Sequence, residues 1–186
     1  MSTAHFPLHD ETTAPEAARP HLESARRRMG FITTLNAVMA TSPELLAGYN
    51  ALAEQFMKSS LPARAKHVVL ITASVENGCA YCVAAHSTLA LRSGLEADEV
   101  TALRNANPLR DRALEAVRRF TRVMVAERGW APQEEVDAFI AAGFTERQVL
   151  DVVLGIGMKT LSNYTNHIAH TPLDPAWQQQ EWTPDR

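Results

Sequence analysis

Between successive prolines the apolar residues of this chain recur at three- and four-residue intervals, the period of a helix that buries one face. Ser42-Pro43-Glu44 combines an N-cap, a first-turn proline and an acidic first turn, and predicts a helix running to Lys58. A second helix opens at Pro62, passes through Val68-Val69-Leu70-Ile71 to about Glu76, and is stopped by Asn77-Gly78. A third runs from Cys79 to Arg92 and closes at Gly94, and a short fourth spans Glu96 to Asn105. Beyond Asn107-Pro108, residues 111–128 form an amphipathic helix with a basic outer face, and another runs from Pro132 to Gly143. Thr145-Glu146-Arg147-Gln148 has the form of a capping box and opens the last long helix, to about Ala169. No stretch shows the period-two alternation of a strand. The expected fold class is all-α, a bundle of seven or eight helices.

Residues 1–20, rich in Ala, Pro, Thr and His, are expected to form an N-terminal arm. The tail after Thr171 carries Trp177 and Trp182, indoles expected to dock on the same domain or on a neighbouring subunit. The whole of 1–186 is expected to be a single domain, with a core over about 40–175 and a tail at 176–186.

Composition narrows the function classes. With 46% hydrophobic and 21% charged residues the chain can bury a core, which excludes a disordered protein. A net charge of −3, without a clustered positive excess, argues against a nucleic-acid surface. Arg26-Arg27-Arg28 and Arg118-Arg119 read as solvated faces, with Glu115 spaced to pair with Arg119. The longest apolar stretch, Val68 to Val75, contains Thr72 and Ser74 and falls far short of a bilayer span, so no membrane association is expected. The first twenty residues lack an apolar run behind basic residues, and a cytoplasmic location is the expectation.

The chemistry concentrates at Glu76-Asn77-Gly78-Cys79-Ala80-Tyr81-Cys82-Val83-Ala84-Ala85-His86. Two cysteines placed at random would stand three apart in roughly one chain in a hundred, and a reducing compartment leaves redox chemistry or metal binding for the pair. On a helix starting at Cys79, positions 79, 82 and 86 share one stripe. Backbone N–H groups and the positive end of the dipole favour a thiolate at the helix start, whereas His86 favours one at Cys82. The attacking sulfur is therefore left open between them. One sulfur can attack a peroxide oxygen and the other resolve the sulfenic acid as a disulfide. Three other readings compete: two cysteines packed as small hydrophobes, a zinc site completed by a ligand such as His67, and a thioredoxin-type oxidoreductase, whose motif follows a strand. Further along, Asn163 and His167 lie four apart on the last helix and either line a pocket or satisfy buried or interface groups. Gly155 and Gly157 on the same helix suggest close approach by a neighbour.

The run Asn-Gly-Cys-Ala-Tyr-Cys-Val-Ala-Ala-His behind an apolar helix resembles the alkylhydroperoxidase AhpD family of the carboxymuconolactone decarboxylase superfamily, most of all its peroxidase-related branch. Leu161-Ser162-Asn163-Tyr164-Thr165-Asn166-His167 and Thr171-Pro172-Leu173-Asp174 resemble the end of that branch's domain. The likeness covers about residues 40–175. It implies an AhpD-like helical bundle that forms a homo-oligomer and reduces an organic hydroperoxide with a dithiol. The implied roles are Cys82 as peroxidatic sulfur, Cys79 as resolving sulfur and His86 as proton relay, and an external dithiol, a lipoylated protein or a peroxiredoxin, would regenerate the pair. No organic cofactor and no metal is implied. Two positions depart from the family pattern. The relay glutamate twelve residues before the first cysteine is here His67, with Glu76 as candidate substitute acid, and the histidine between the family's cysteines is here Tyr81. The alternatives to a peroxidase are a carboxymuconolactone decarboxylase-like enzyme, whose reaction needs no cysteine pair, and a redox-sensing protein without turnover.

Overall fold

The helix signals of the sequence become seven consecutive helices, and two more precede them. A computed structural model describes residues 6–184. It contains α1 (Arg19–Met29), α2 (Thr34–Met39), α3 (Pro43–Lys58), α4 (Ala63–Glu76), α5 (Ala80–Arg92), α6 (Ala97–Arg104), α7 (Arg112–Ala126), α8 (Gln133–Ala141) and α9 (Glu146–Ala169). Short 3-10 turns lie at Glu16–Ala18 and Pro175–Gln180. Among the described residues there is no strand, so the fold is all-α as expected.

Local chemistry sets the boundaries. The Ser42 side chain accepts from the Leu45 N–H, and Asp111 accepts from Ala113 and Leu114, each satisfying donors that a helix start leaves free. Thr145 and Gln148 exchange both bonds of a capping box. Gly78 takes the left-handed conformation (φ +64°), and the N–H groups of Gly78 and Cys79 bond back to the carbonyls of Val75 and Ser74. This paired C-terminal closure ends α4 and delivers Cys79 directly to the N-cap of α5.

α4 is the central post. Every residue from Ala65 to Ser74 is buried, so this helix has no solvated face and packs against α5, α7 and α9. Around it α3, α6, α7, α8 and α9 close the main core, with Phe56, Phe120, Phe139 and Val152 among its fully enclosed side chains. Gly155 of α9 permits the tightest approach, because a Cβ there would stand 2.6 Å from the Phe56 ring and 2.9 Å from Val69. Gly157, by contrast, has open space. On α7, Glu115 pairs with Arg118 at 2.7 Å and not with Arg119, which pairs with Glu135; Arg118 is buried, so the basic face of that helix is only partly solvated.

The segments that look like an arm and a tail build a second core. Ala14, Ala18 and Leu22 pack with Leu35, Met39, Leu46, Tyr81 and Trp177 around the two cysteines. The capacity of residues 6–20 to pack comes from small residues, Ala14 and Ala18, which carry little hydrophobic signal individually. Trp177 is fully buried on the same chain and lies against Phe31, with ring centroids 5.8 Å apart. Buried Asp174 secures this tail by accepting from the Thr34 backbone N–H and hydroxyl and from the Tyr81 hydroxyl. Arg104 of α6 donates to the carbonyls of Gln180 and Glu181, and Trp182 donates to the Arg104 carbonyl.

Three substitutions test these contacts. Gly155→Ala overpacks the junction of α3, α4 and α9 at about 1–3 kcal/mol and is expected to lower the melting temperature by about 2–10 °C. Gly157→Ala, free of clashes, is expected to leave it unchanged or to raise it slightly, and thermal unfolding of the two variants decides. Asp174→Ala strands the Tyr81 and Thr34 donors at about 1–3 kcal/mol, and the expected result is a lower melting temperature with faster alkylation of the buried thiols.

Candidate functional site

α5 and α9 meet at the cysteines. Cys79, at the N-cap of α5, and Cys82, one turn in, are both free thiols and both about 1% exposed. The facing side of α9 is apolar at Val152 and Gly155 and then polar at Lys159, Ser162 and Asn166, all of them buried. Asn166 Nδ2 donates to the Cys82 sulfur at 3.2 Å and lies 3.8 Å from that of Cys79. The Ser162 hydroxyl lies 3.8 Å from the Cys82 sulfur. Lys159 has no exposed surface, and its Nζ is 2.9 Å from His86 Nε2.

The two sulfurs are set unequally. Burial by itself opposes ionisation of Cys82, but the hydrogen bond from Cys79, the Lys159 charge and the hydrogen bonds of Lys159 and Ser162 bring its thiol well below the usual range. The Cys79 thiol is pushed up by its hydrogen bond to the Cys82 sulfur and by burial. Of the two, Cys82 is the sulfur whose ionisation the surroundings favour, with the Cys79 S–H donating to it.

His86 is buried, and burial, reinforced by the charges of Lys159 and His67, holds it well below its usual value, so the imidazole is neutral. An ammonium has only donors, so the contact between them is Lys159 N–H to His86 Nε2, and the imidazole proton sits on Nδ1. Sequence spacing expects His86 to act on the thiols directly; here the groups that act on Cys82 are Cys79 and side chains of α9, and His86 contacts Lys159. His67, on α4, is buried beside His86, and burial lowers its affinity for a proton. Glu76 lies elsewhere. The charges it senses are Arg122 and Arg118 of α7, and half-burial raises its carboxyl in spite of them. Tyr81, between the cysteines, is tied to Asp174, and its phenol is pushed up by burial and by that neighbour.

A cavity of about 150 Å³ opens beside this cluster. Cys82, His86, Lys159, Tyr49, Tyr81, Asn36 and Trp177 contribute to its wall, Arg28 borders it, and Cys79 does not line it. Cys82 and Lys159 thus share one chamber, with the Cys79 sulfur behind. Among the described residues no group of three or more His, Cys, Asp or Glu is placed to hold a metal ion, so Cys79, Cys82, His86 and His67 do not converge as zinc ligands.

Of the pair singled out on the last helix, Asn163 is buried and accepts from Asn77 Nδ2 at 2.9 Å, which holds the turn that presents Cys79. His167 is exposed. Of the residues that touch the sulfurs, Ser162 and Asn166 lie inside the family-like run 161–167 without being singled out there, and Lys159 lies outside it. The one available signal is a lysine on the same helix face as Val152 and Gly155.

Residues 43–123 match the model of the Carboxymuconolactone decarboxylase family, a stretch that runs from α3 into α7 and includes both cysteines, His86 and His67. None of the curated proteins matches the chain in sequence. Solved structures share the fold. An uncharacterized peroxidase-related protein with an alkylhydroperoxidase AhpD core from Ralstonia eutropha JMP134 superposes with a TM-score of 0.81 over 100% of both chains at 17% identity. An uncharacterized peroxidase-related protein from Silicibacter sp. TM1040 gives 0.79 over 96% of this chain and 95% of its own at 18% identity. The debrominase Bmp8, in complex with 2,3,4-tribromopyrrole, gives 0.78 over 97% and 96% at 18% identity. The family match thus covers the cysteine-bearing stretch of the chain, and the chain as a whole shares the all-α fold of AhpD-like peroxidase-related proteins.

Proposed function

We propose that this chain is a thiol-dependent peroxidase that reduces a small organic hydroperoxide through a Cys82–Cys79 dithiol–disulfide cycle. The observation that carries the reading is the unequal setting of the sulfurs. Cys82 faces the cavity with its anion supported by Lys159 and Asn166, while protonated Cys79 stands behind it. Cys82 attacks the distal oxygen of the hydroperoxide, the O–O bond breaks, and a sulfenic acid forms as the alkoxide leaves. Cys79 then attacks the sulfenic sulfur, an S–S bond forms, and water departs. An external dithiol, a lipoylated protein or peroxiredoxin by family analogy, returns the pair to the reduced state. A cavity of about 150 Å³ is of the size that admits one benzene-sized ring, which favours short or monocyclic hydroperoxides over lipid ones.

Such a cycle suits the reducing cytoplasm, and no helix among the described residues is long and apolar enough to cross a membrane. The exposed apolar residues Leu150, Val153, Tyr164 and Ile168 along α9 support assembly with further copies of the chain.

A second reading is favoured by the aromatic wall beside the thiolate, formed by Tyr49, Tyr81 and Trp177. The same sulfur can take the bromine of a brominated aromatic ring, the C–Br bond breaking as the ring carbon is protonated, after which Cys79 displaces bromide and the disulfide forms; the debrominase Bmp8 shares this fold.

Intact mass and free-thiol count of the reduced protein, before and after one equivalent of cumene hydroperoxide, test the proposal. The expected outcome is rapid loss of both thiols, a persistent sulfenic acid in Cys79→Ser and no reaction in Cys82→Ser. Persistence of both thiols in the unsubstituted protein sinks the peroxidase, and consumption of a bromopyrrole in its place selects the second reading. Sustained peroxide consumption with a recycling dithiol separates a catalyst from a sensor.

The lowered Cys82 thiol also predicts a pH profile. Alkylation by iodoacetamide is expected to modify Cys82 below the pH at which ordinary thiols react, and to reach Cys79 only above it. Peptide mapping across a pH series checks this, and equal modification of the two sulfurs contradicts it.

A further inference from the structure

The peroxidase cycle leaves one proton without a source. Cys82 arrives as an anion, so the nucleophile brings no proton, yet breaking the O–O bond of an alkyl hydroperoxide releases a strongly basic alkoxide. Besides Cys82 and Arg28, the titratable groups at the cavity wall are Lys159, His86, Tyr49 and Tyr81. Tyr81 donates to Asp174. Tyr49 is held in its protonated form by burial and by the charge at Cys82. His86 is neutral and turns the lone pair of Nε2 to Lys159, while its Nδ1 is buried without a partner, so the ring has no proton on the nitrogen that faces the lysine. Arg28 also borders the cavity, but a guanidinium does not give up its proton.

Lys159 remains. It is fully buried, and among the described residues no carboxylate pairs with it; the negative group it acts on is the Cys82 sulfur. Once that sulfur has become a sulfenic acid, an ammonium retained there is a buried, unpaired cation, which is heavily penalised. Loss of its proton at the same moment removes the penalty.

We propose that Lys159 is the general acid of the reaction, giving its ammonium proton to the alkoxide as Cys82 takes the distal oxygen. This rests on the peroxidase reading of the site. Thiolate, hydroperoxide and ammonium become sulfenic acid, alcohol and neutral amine, so one negative and one positive charge disappear together. Condensation with the Cys79 thiol releases water and leaves the amine neutral. When an external dithiol reduces the disulfide, Cys82 is regenerated as a thiol and returns its proton to Lys159, which restores the ion pair. His86, accepting from Lys159 through Nε2, orients the amine and stays neutral throughout.

The leaving group provides the test. tert-Butyl hydroperoxide expels a basic alkoxide that needs a proton, whereas peracetic acid expels acetate, which does not. Single-turnover thiol loss in the full chain is measured with both oxidants for the unsubstituted protein, Lys159→Met and Lys159→Arg. Rates are compared at a pH where iodoacetamide alkylation shows Cys82 to be fully ionised in each. The expected result is a loss of about 10²-fold or more with tert-butyl hydroperoxide and a much smaller change with peracetic acid. Lys159→Arg keeps the positive charge without a transferable proton, and it carries the same comparison if the methionine variant does not fold. Equal losses with the two oxidants would show that the lysine only supports the thiolate, and overturn the inference while leaving the peroxidase intact. Retention of both thiols by the unsubstituted protein overturns the two together.

Discussion

A lysine ammonium with no exposed surface, set against a cysteine sulfur, governs the rest of this site. Burying either charge alone is costly, and together they are tolerable only at close range with their remaining hydrogen-bonding positions filled. The surrounding structure fills them. His86 takes one ammonium hydrogen, Asn166 donates to the sulfur, and Cys79 adds its S–H. For these groups to meet, α9 must lie close to the helices around α4, which the missing side chain of Gly155 allows. The Asn77–Asn163 bond then fixes the turn from which α5 begins.

The departures from the AhpD pattern take on meaning in this light. At the position of the relay glutamate stands His67, buried and disfavoured as a cation, and between the cysteines stands Tyr81, whose hydroxyl is committed to Asp174. Neither supplies charge to the sulfurs. The charge comes from α9, beyond the stretch matched by the family model, so the electrostatics of the thiol depend on a helix outside that stretch.

The helical framework was legible because caps and stops are local: Ser42, Thr145 with Gln148, and Asn77-Gly78 act on groups within a few residues of themselves. The cysteine pair was legible from its spacing. Lys159, Ser162 and Asn166 were not, because their meaning depends on a neighbour about eighty residues away, and lysine on a helix ordinarily faces water. Glu76 illustrates the converse. Three residues from Cys79 in sequence, it precedes the turn at Gly78 and interacts with arginines of α7. The first two helices were not legible because their burial rests on a few alanines with Leu22, Leu35, Val38 and Met39, too sparse for periodicity to register, whereas the indoles marked the tail as a docking segment without showing where it docks.

The second core divides labour in a way that bears on how such proteins diversify. Cys82 and His86 sit in the family-matched stretch, but the chamber before them is completed by Arg28, Asn36 and Trp177, from segments on either side of it. Change in those flanking segments alters the shape and polarity of the chamber without moving the sulfur or its cation. One reactive centre can thereby be fitted to new electrophiles by drift in its flanks, and substrate range becomes separable from reaction chemistry within a chain of this size.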